Sequence, residues 1–171
     1  MLGKEMLGTM FDYNAAMNVR LLDFAAKVPD EQLDTPSDYS VGSLRQTLWH
    51  TVVVEAGWGM FCRGIEVDRT QPPPVAPTAT IADLRAFHAE ESGQMRAFLG
   101  ELSDDDFTAT LMRKHPDGSE RSFIRWQVLT HILYHSAQHR SEIAGMLTRY
   151  GQSPGDLDFI FFMRSGGTMT D

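Results

Sequence analysis

Four stretches of this sequence repeat their apolar residues every three or four positions, and that period commits most of the chain to amphipathic helix. In the first stretch Met6, Met10, Tyr13, Met17, Leu21 and Phe24 share one face, and Pro29 follows the last turn. The second opens on Ser43-Leu44-Arg45-Gln46, where Ser43 and Gln46 can satisfy each other's orphan backbone donors as a capping box. It then runs through Leu48, Val54, Trp58 and Phe61 towards Gly64. The third begins near Thr80, with Asp83 in its first turn. Leu84, Phe87, Glu91, Met95, Phe98 and Leu102 mark its stripe, and the acidic run Asp104 to Asp106 closes it. The fourth spans about Ser122 to Tyr150, with Gly151 as its C-terminal stop. Between the second and third, Gln71-Pro72-Pro73-Pro74 cannot be helical and must run over the surface. Residues Phe107 to Phe123, with Thr108, Thr110 and Pro116-Asp117-Gly118, read as a short hairpin or irregular excursion. The pattern therefore predicts an all-α four-helix bundle. The long links leave the order of helices around it open.

A length of 171 residues suits a single domain over residues 1–171. Lys and Arg number 15 against 23 Asp and Glu, a formal net charge of −8. That sign repels phosphate backbones unless a local basic patch exists, and Arg63, Arg69, Arg113, Lys114 and Arg125 are scattered along the sequence. No nucleic-acid partner is expected. No apolar run approaches the length of a membrane span, and Lys4 and Glu5 stand where a signal peptide would place its apolar core. The single cysteine, Cys62, forbids an intramolecular disulfide. These features predict a cytoplasmic protein without a membrane partner. The apolar tail Phe159-Ile160-Phe161-Phe162-Met163 must fold back on the bundle or pair with another subunit.

Chemistry concentrates in the histidines. His131, His135 and His139 are spaced by four, which places successive imidazoles on one helical face with Cβ atoms roughly 5–6 Å apart. Two such rings can converge on one metal ion. Three cannot easily do so, because His131 and His139 stand about 12 Å apart along the axis. On a helical wheel the apolar arc centres near Leu129, Ile132, Ser136, Ile143 and Leu147. His135 and His139 flank that arc, whereas His131 lies further round with Tyr134 and Gln138. The spacing thus favours His135 and His139. His50 borders the inward arc of the second helix and is a candidate third ligand, although a lone border histidine more often makes an interhelical hydrogen bond. Three imidazoles on two helices would leave coordination positions open, as catalytic sites require. His88 and His115 read as solvated surface residues.

Two carboxylates are weak catalytic candidates. Glu55 falls on the inward arc of the second helix; its simplest role is a hydrogen bond to the first, where Tyr13, Asn14 and Arg20 are available. Glu142 follows His139 by three residues. It can orient an imidazole, act as a base, or pair with Arg140 or Arg149. Cys62 lies more than three turns beyond His50 and reads as a small buried hydrophobe.

These segments together resemble the DinB/YfiT-like family. Phe11-Asp12-Tyr13-Asn14 with Arg20-Leu21-Leu22 is similar to the family's first helix. Ser43 through His50, with Glu55 and Trp58, is similar to its second, and His131 through Arg140 to its fourth. Gly151 with Asp156 to Phe159 matches its C-terminal closure. The resemblance implies a four-helix bundle, commonly a homodimer, with His50, His135 and His139 holding a divalent metal, zinc or nickel. Where the family often reads His-Arg-Gly-Gln, this chain has His139-Arg140-Ser141-Glu142, which puts a carboxylate beside the metal edge.

The function expected on these grounds is a metal-dependent enzyme acting on small molecules. The resemblance points to thiol-dependent transfer, with a low-molecular-weight thiol, in stress or detoxification; metal-dependent hydrolysis uses the same Lewis acid. The alternative is a non-catalytic metal-binding, stress-induced bundle. A site left open over the histidines favours the enzyme, and one sealed by Trp58 or by the Phe159–Met163 tail favours binding alone.

Overall fold

Two of the four long helices start where the sequence supplies a side-chain acceptor for their first free N–H groups. In a computed structural model that describes residues 2–66, 71–115 and 117–167, the chain forms α1 (Leu2–Ala25), α2 (Asp30–Leu33), α3 (Leu44–Cys62), α4 (Ile81–Glu101), α5 (Asp104–Phe107), β1 (Thr110–Lys114), β2 (Glu120–Ile124), α6 (Arg125–Arg149) and α7 (Phe159–Arg164). Ser43, Thr80 and Ser103 cap α3, α4 and α5 through reciprocal boxes with Gln46, Asp83 and Asp106. Gly64 and Gly151, just beyond the ends of α3 and α6, have φ of 75° and 74°, the left-handed conformation that stops a helix. Pro116 and Arg69 lie outside the described residues.

Two apolar clusters, one at each end, set the direction of every helix. At one end Leu21, Leu22 and Ala25 of α1 pack with Leu44 and Leu48 of α3, Ile81 and Leu84 of α4, and Ile143, Met146 and Leu147 of α6. At the other, Leu7 and Phe11 meet Cys62, Met95, Leu99, Leu102, Val128, Leu129 and Ile132. So α1 and α6 finish where α3 and α4 begin. α1 packs on α4 and α6, and α3 packs on the same two. Around the bundle the order is α1, α4, α3, α6, with α3 parallel to α4 and α6 parallel to α1. Parallel neighbours need a long return, and the interval between Cys62 and Ile81 is long enough in sequence to span a bundle about 30 Å tall. This resolves the helix order that the link lengths left open.

α6 begins at Arg125, three residues later than expected, because Glu120–Ile124 pairs antiparallel with Thr110–Lys114 in the anticipated hairpin. Ile124 has no acceptor of its own, and Gln127 Oε1 accepts its N–H at 3.2 Å. Leu129, Ile132, Ser136, Ile143 and Leu147 are fully buried, as the wheel placed them. Other stripes shift. The buried line of α3 is Leu44, Leu48, Val52, Ala56, Gly59 and Cys62, which leaves Val54, Trp58 and Phe61 half-buried at its border with α6. Met6 is exposed, because α1 overshoots the core at its N-terminal end. His88 is buried rather than solvated; its Nε2 lies 3.4 Å from the Ala15 carbonyl of α1. His115 is half-buried beside the hairpin turn. In α7, Phe162 is buried against Tyr13 of α1, while Ile160, Phe161 and Met163 stay exposed, so the tail folds back only in part. No described helix is long and apolar enough to cross a membrane.

Candidate metal centre

The antiparallel pair α3 and α6 brings three imidazoles together from positions far apart in sequence. One ring nitrogen each from His50, His135 and His139 lies within 4.8 Å of the others. Ring centroids are 4.5 Å apart for His135 and His139, 4.8 Å for His50 and His139, and 5.2 Å for His50 and His135. His139 is buried; His50 and His135 keep partial access to solvent. His131, one turn before His135, is exposed, and its ring stands 5.1 Å from Trp58.

Hydrogen bonding sets the tautomer of His139. Its Nδ1–H donates to Glu142 Oε2 at 2.6 Å, which leaves the Nε2 lone pair free for the cluster. Glu142 also accepts from the Ser40 hydroxyl, on the loop before α3. Burial alone would raise the Glu142 carboxyl, but the hydrogen bonds from Ser40 and His139 outweigh it and hold the group below the ordinary carboxylate value. Of the three roles open to Glu142, the geometry supports orientation of an imidazole. Burial, then the charge on His139, lowers the His50 imidazole. His135 falls to about 4, through burial first and then the charges of His139, His50 and His131. Both rings are neutral at pH 7, the form in which imidazole ligates.

A divalent ion fits these residues. His50 Nε2 and His135 Nε2 face each other at 3.3 Å. Two nitrogens each about 2.0–2.1 Å from a tetrahedral zinc ion stand about 3.3 Å apart. Nδ1 of His135 is buried with no hydrogen-bond partner among the described residues, a deficit of about 1–3 kcal/mol for an ordinary polar group. The surroundings therefore offer the His135 ring almost nothing but the other imidazoles. Neither group that could have sealed the trio covers it. Trp58 packs on Phe61, Phe123 and His131, and α7 packs through Phe159 and Phe162 on Tyr13.

Glu55 belongs to a different construction. Its carboxylate accepts from Asn14 Nδ2 at 3.1 Å and from Asn18 Nδ2 at 3.1 and 3.2 Å. Asn14 Oδ1 in turn accepts from buried Arg140 at 2.8 Å, and Asn18 Oδ1 from Ser136 at 3.3 Å. This polar lattice pins α1 to α3 and α6 behind the histidines. Sequence reasoning identified Asn14 as a partner but missed Asn18, Ser136 and Arg140. The spacing of Asn14 and Asn18 by one turn, flanking Met17 on a buried stripe, was the available signal. Ser40 left none, because a loop serine announces no partner. A cleft of about 780 Å³ between α1 and α4 reaches Glu55 and His88 from the opposite side and includes none of the three clustered histidines.

A family model described as the DinB family matches residues 1–169. Among solved structures, the chain is similar to YfiT from Bacillus subtilis, with a TM-score of 0.58 and 20% identity over 87% of this chain and 90% of that one. That protein is described as a probable metal-dependent hydrolase with an unusual four-helix bundle topology. At this identity the likeness is one of fold. No curated protein matches the chain in sequence.

Proposed function

Because the chain belongs to the DinB family, we propose that it is a divalent-metal-dependent enzyme acting on small molecules, with His50, His135 and His139 as the metal ligands. The observation that carries this reading is the convergence of three imidazoles, two of them held neutral, at a site with a solvent-facing side. A divalent ion such as zinc or nickel would supply Lewis acidity there, lowering the pKa of a thiol or a water molecule so that either becomes a nucleophile near neutral pH. Transfer of a low-molecular-weight thiol and hydrolysis, the activity attributed to YfiT, both follow from that one property. The chain's own residues prepare the site. Glu142 fixes the His139 tautomer, Ser40 holds Glu142, and the lattice of Asn14, Asn18, Glu55 and Arg140 anchors the helix that carries two ligands.

Neither carboxylate is placed as a base. Glu142 is engaged by His139 and Ser40, and Glu55 by two asparagines. The incoming nucleophile must therefore lose its proton to solvent or to a group of the substrate. The exposed apolar residues of α7 support a homodimer, and the absence of disulfide potential supports a cytoplasmic protein.

Elemental mass spectrometry on wild type and on His50→Ala, His135→Ala and His139→Ala tests the ligand set. The expected result is about one equivalent of zinc or nickel in wild type and loss in each variant. Retention in the variants, or no uptake by wild type supplied with metal, overturns it. Zinc-loaded protein assayed with p-nitrophenyl acetate, and with cysteine plus 1-chloro-2,4-dinitrobenzene, separates hydrolysis from thiol transfer. Inactivity towards both, with metal bound, favours the non-catalytic bundle.

A further inference from the structure

The seam between α3 and α6 continues past the three histidines. One turn before His135, His131 stands with its ring centroid 5.8 Å from that of His135 and 5.1 Å from that of Trp58. Beyond Trp58 stands the hairpin. Phe123 of β2 packs on Trp58 at 5.9 Å, and the Arg113 guanidinium of β1 lies over the Trp58 ring, 4.3 Å from its centroid. The sequence of surfaces from the imidazoles outward is thus aromatic, then cationic.

The hairpin register sharpens the charge. Arg113 stands directly opposite Arg121, and Leu111 opposite Phe123, so both arginines share the hairpin face that carries Phe123 onto Trp58. Opposed like charges destabilise a two-stranded ladder. Five guanidinium groups elsewhere are ion-paired, Arg45 with Asp30 and Asp34, Arg63 with Glu91, Arg85 with Asp23, Arg96 with Asp12 and Arg125 with Asp106, whereas Arg149 and Arg164 have no ion pair among the described residues. Arg113 and Arg121 have no such partner among the described residues, although the chain carries 23 acidic side chains. Among the described residues of the hairpin Lys114 is the paired cation, 3.7 Å from Glu120. Arg113 is half-buried, and its guanidinium lies over the Trp58 ring, which restricts where the group can stand. An arginine arranged in this way presents a fork to an incoming anion. The linear sequence concealed the pair, since eight positions separate two residues that the ladder sets side by side.

We propose that Arg113, with Arg121 behind it, is the anion-binding end of that seam, and that the substrate is a small organic anion. Its apolar body lies against Trp58 and Phe123, its carboxylate or phosphate meets Arg113, and its reacting group reaches the imidazole cluster. This substrate class rests on reading the trio as the reacting centre; the anion subsite itself does not.

Calorimetric titration of the full-length protein tests the subsite, in chelator-treated and in zinc-loaded form. The probes are 3-phenylpropionate, phenyl phosphate and the neutral 3-phenylpropanamide. Metal-free wild type is expected to bind both anions, and the amide about tenfold more weakly. Arg113→Gln should lose about tenfold in affinity for the anions and nothing for the amide, Arg121→Gln should lose less, and Arg113→Lys should recover part of the loss. The proposal is overturned if Arg113→Gln binds the anions as tightly as wild type, if the amide binds as well as the acid, or if neither anion binds metal-free protein. Elemental analysis of the same samples keeps the two readings apart. Loss of anion binding with the histidine-dependent metal intact removes the subsite alone. Arg113-dependent anion binding without metal uptake removes the metal reading alone.

Discussion

At the level of single residues, His139 shows how one side chain is given its task. One ring nitrogen is committed to Glu142, so the other can only accept. Glu142→Gln keeps the shape but weakens that hold, and should lower zinc affinity about 10- to 100-fold, read by competition with a chromogenic chelator. Unchanged affinity would reduce Glu142 to a surface contact. His135 carries a second expectation. Its folded value of about 4 lies below the 6.5 of a free imidazole, so between these values the unfolded chain takes up a proton that the folded chain refuses. Stability from the neutral ring is therefore full above pH 6.5 and lost as pH falls towards 4. His50, His139, His131 and Glu142 are the ionisable groups that act on it. In metal-free protein the melting temperature of wild type should fall more steeply over that window than that of His135→Asn, and parallel curves would contradict the assignment. The ladder spacing and the wheel made His135 and His139 legible. The same spacing offered Glu142 as the partner that orients His139, but not the Ser40 hydroxyl that holds Glu142, because it comes from a loop about a hundred positions away.

At the level of elements, caps and side-chain lattices decide where helices start and how they sit. Gly42 has φ of 121°, and a Cβ there would lie 2.2 Å from Gln46 Oε1, the acceptor half of the α3 cap. Gly42→Ala should destabilise the fold by about 1–3 kcal/mol in urea denaturation, because it strains the backbone and displaces Gln46 together. A change below about 0.5 kcal/mol would mean that the loop relaxes freely. Asn14→Leu removes both a donor to Glu55 and an acceptor for Arg140, and should lower stability by about 1–3 kcal/mol. The capping boxes of α3 and α4 were legible because they are local. The late start of α6 was less so, since the hairpin that claims Glu120–Ile124 is fixed by cross-strand pairing with Thr110–Lys114, outside the helix itself.

At the level of the whole molecule, helix periodicity gave the bundle but not its order, since four amphipathic helices can be arranged around one core in several ways. The parallel placement of α3 beside α4 brings α3 against α6, and this alone lets His50 meet His135 and His139. Binding at such a site should report on the entire fold. Zinc at about a thousandfold excess over its dissociation constant should stabilise wild type by about 4 kcal/mol, and His50→Ala should show almost none of that gain. Equal stabilisation of the two would place the metal elsewhere.

The same arrangement has a temporal consequence. His50 and His135 are 85 positions apart, so a chain emerging from the ribosome has made only one of the three ligands when its second long helix is complete. The others arrive 85 and more positions after His50, on a helix that must find α1 and α3 across long stretches of chain. The nascent protein thus has no early grip on a metal ion, and the ion cannot serve as a seed for folding. Loading must wait for the assembly of α3 against α6, and its timing is then open to control by metal supply.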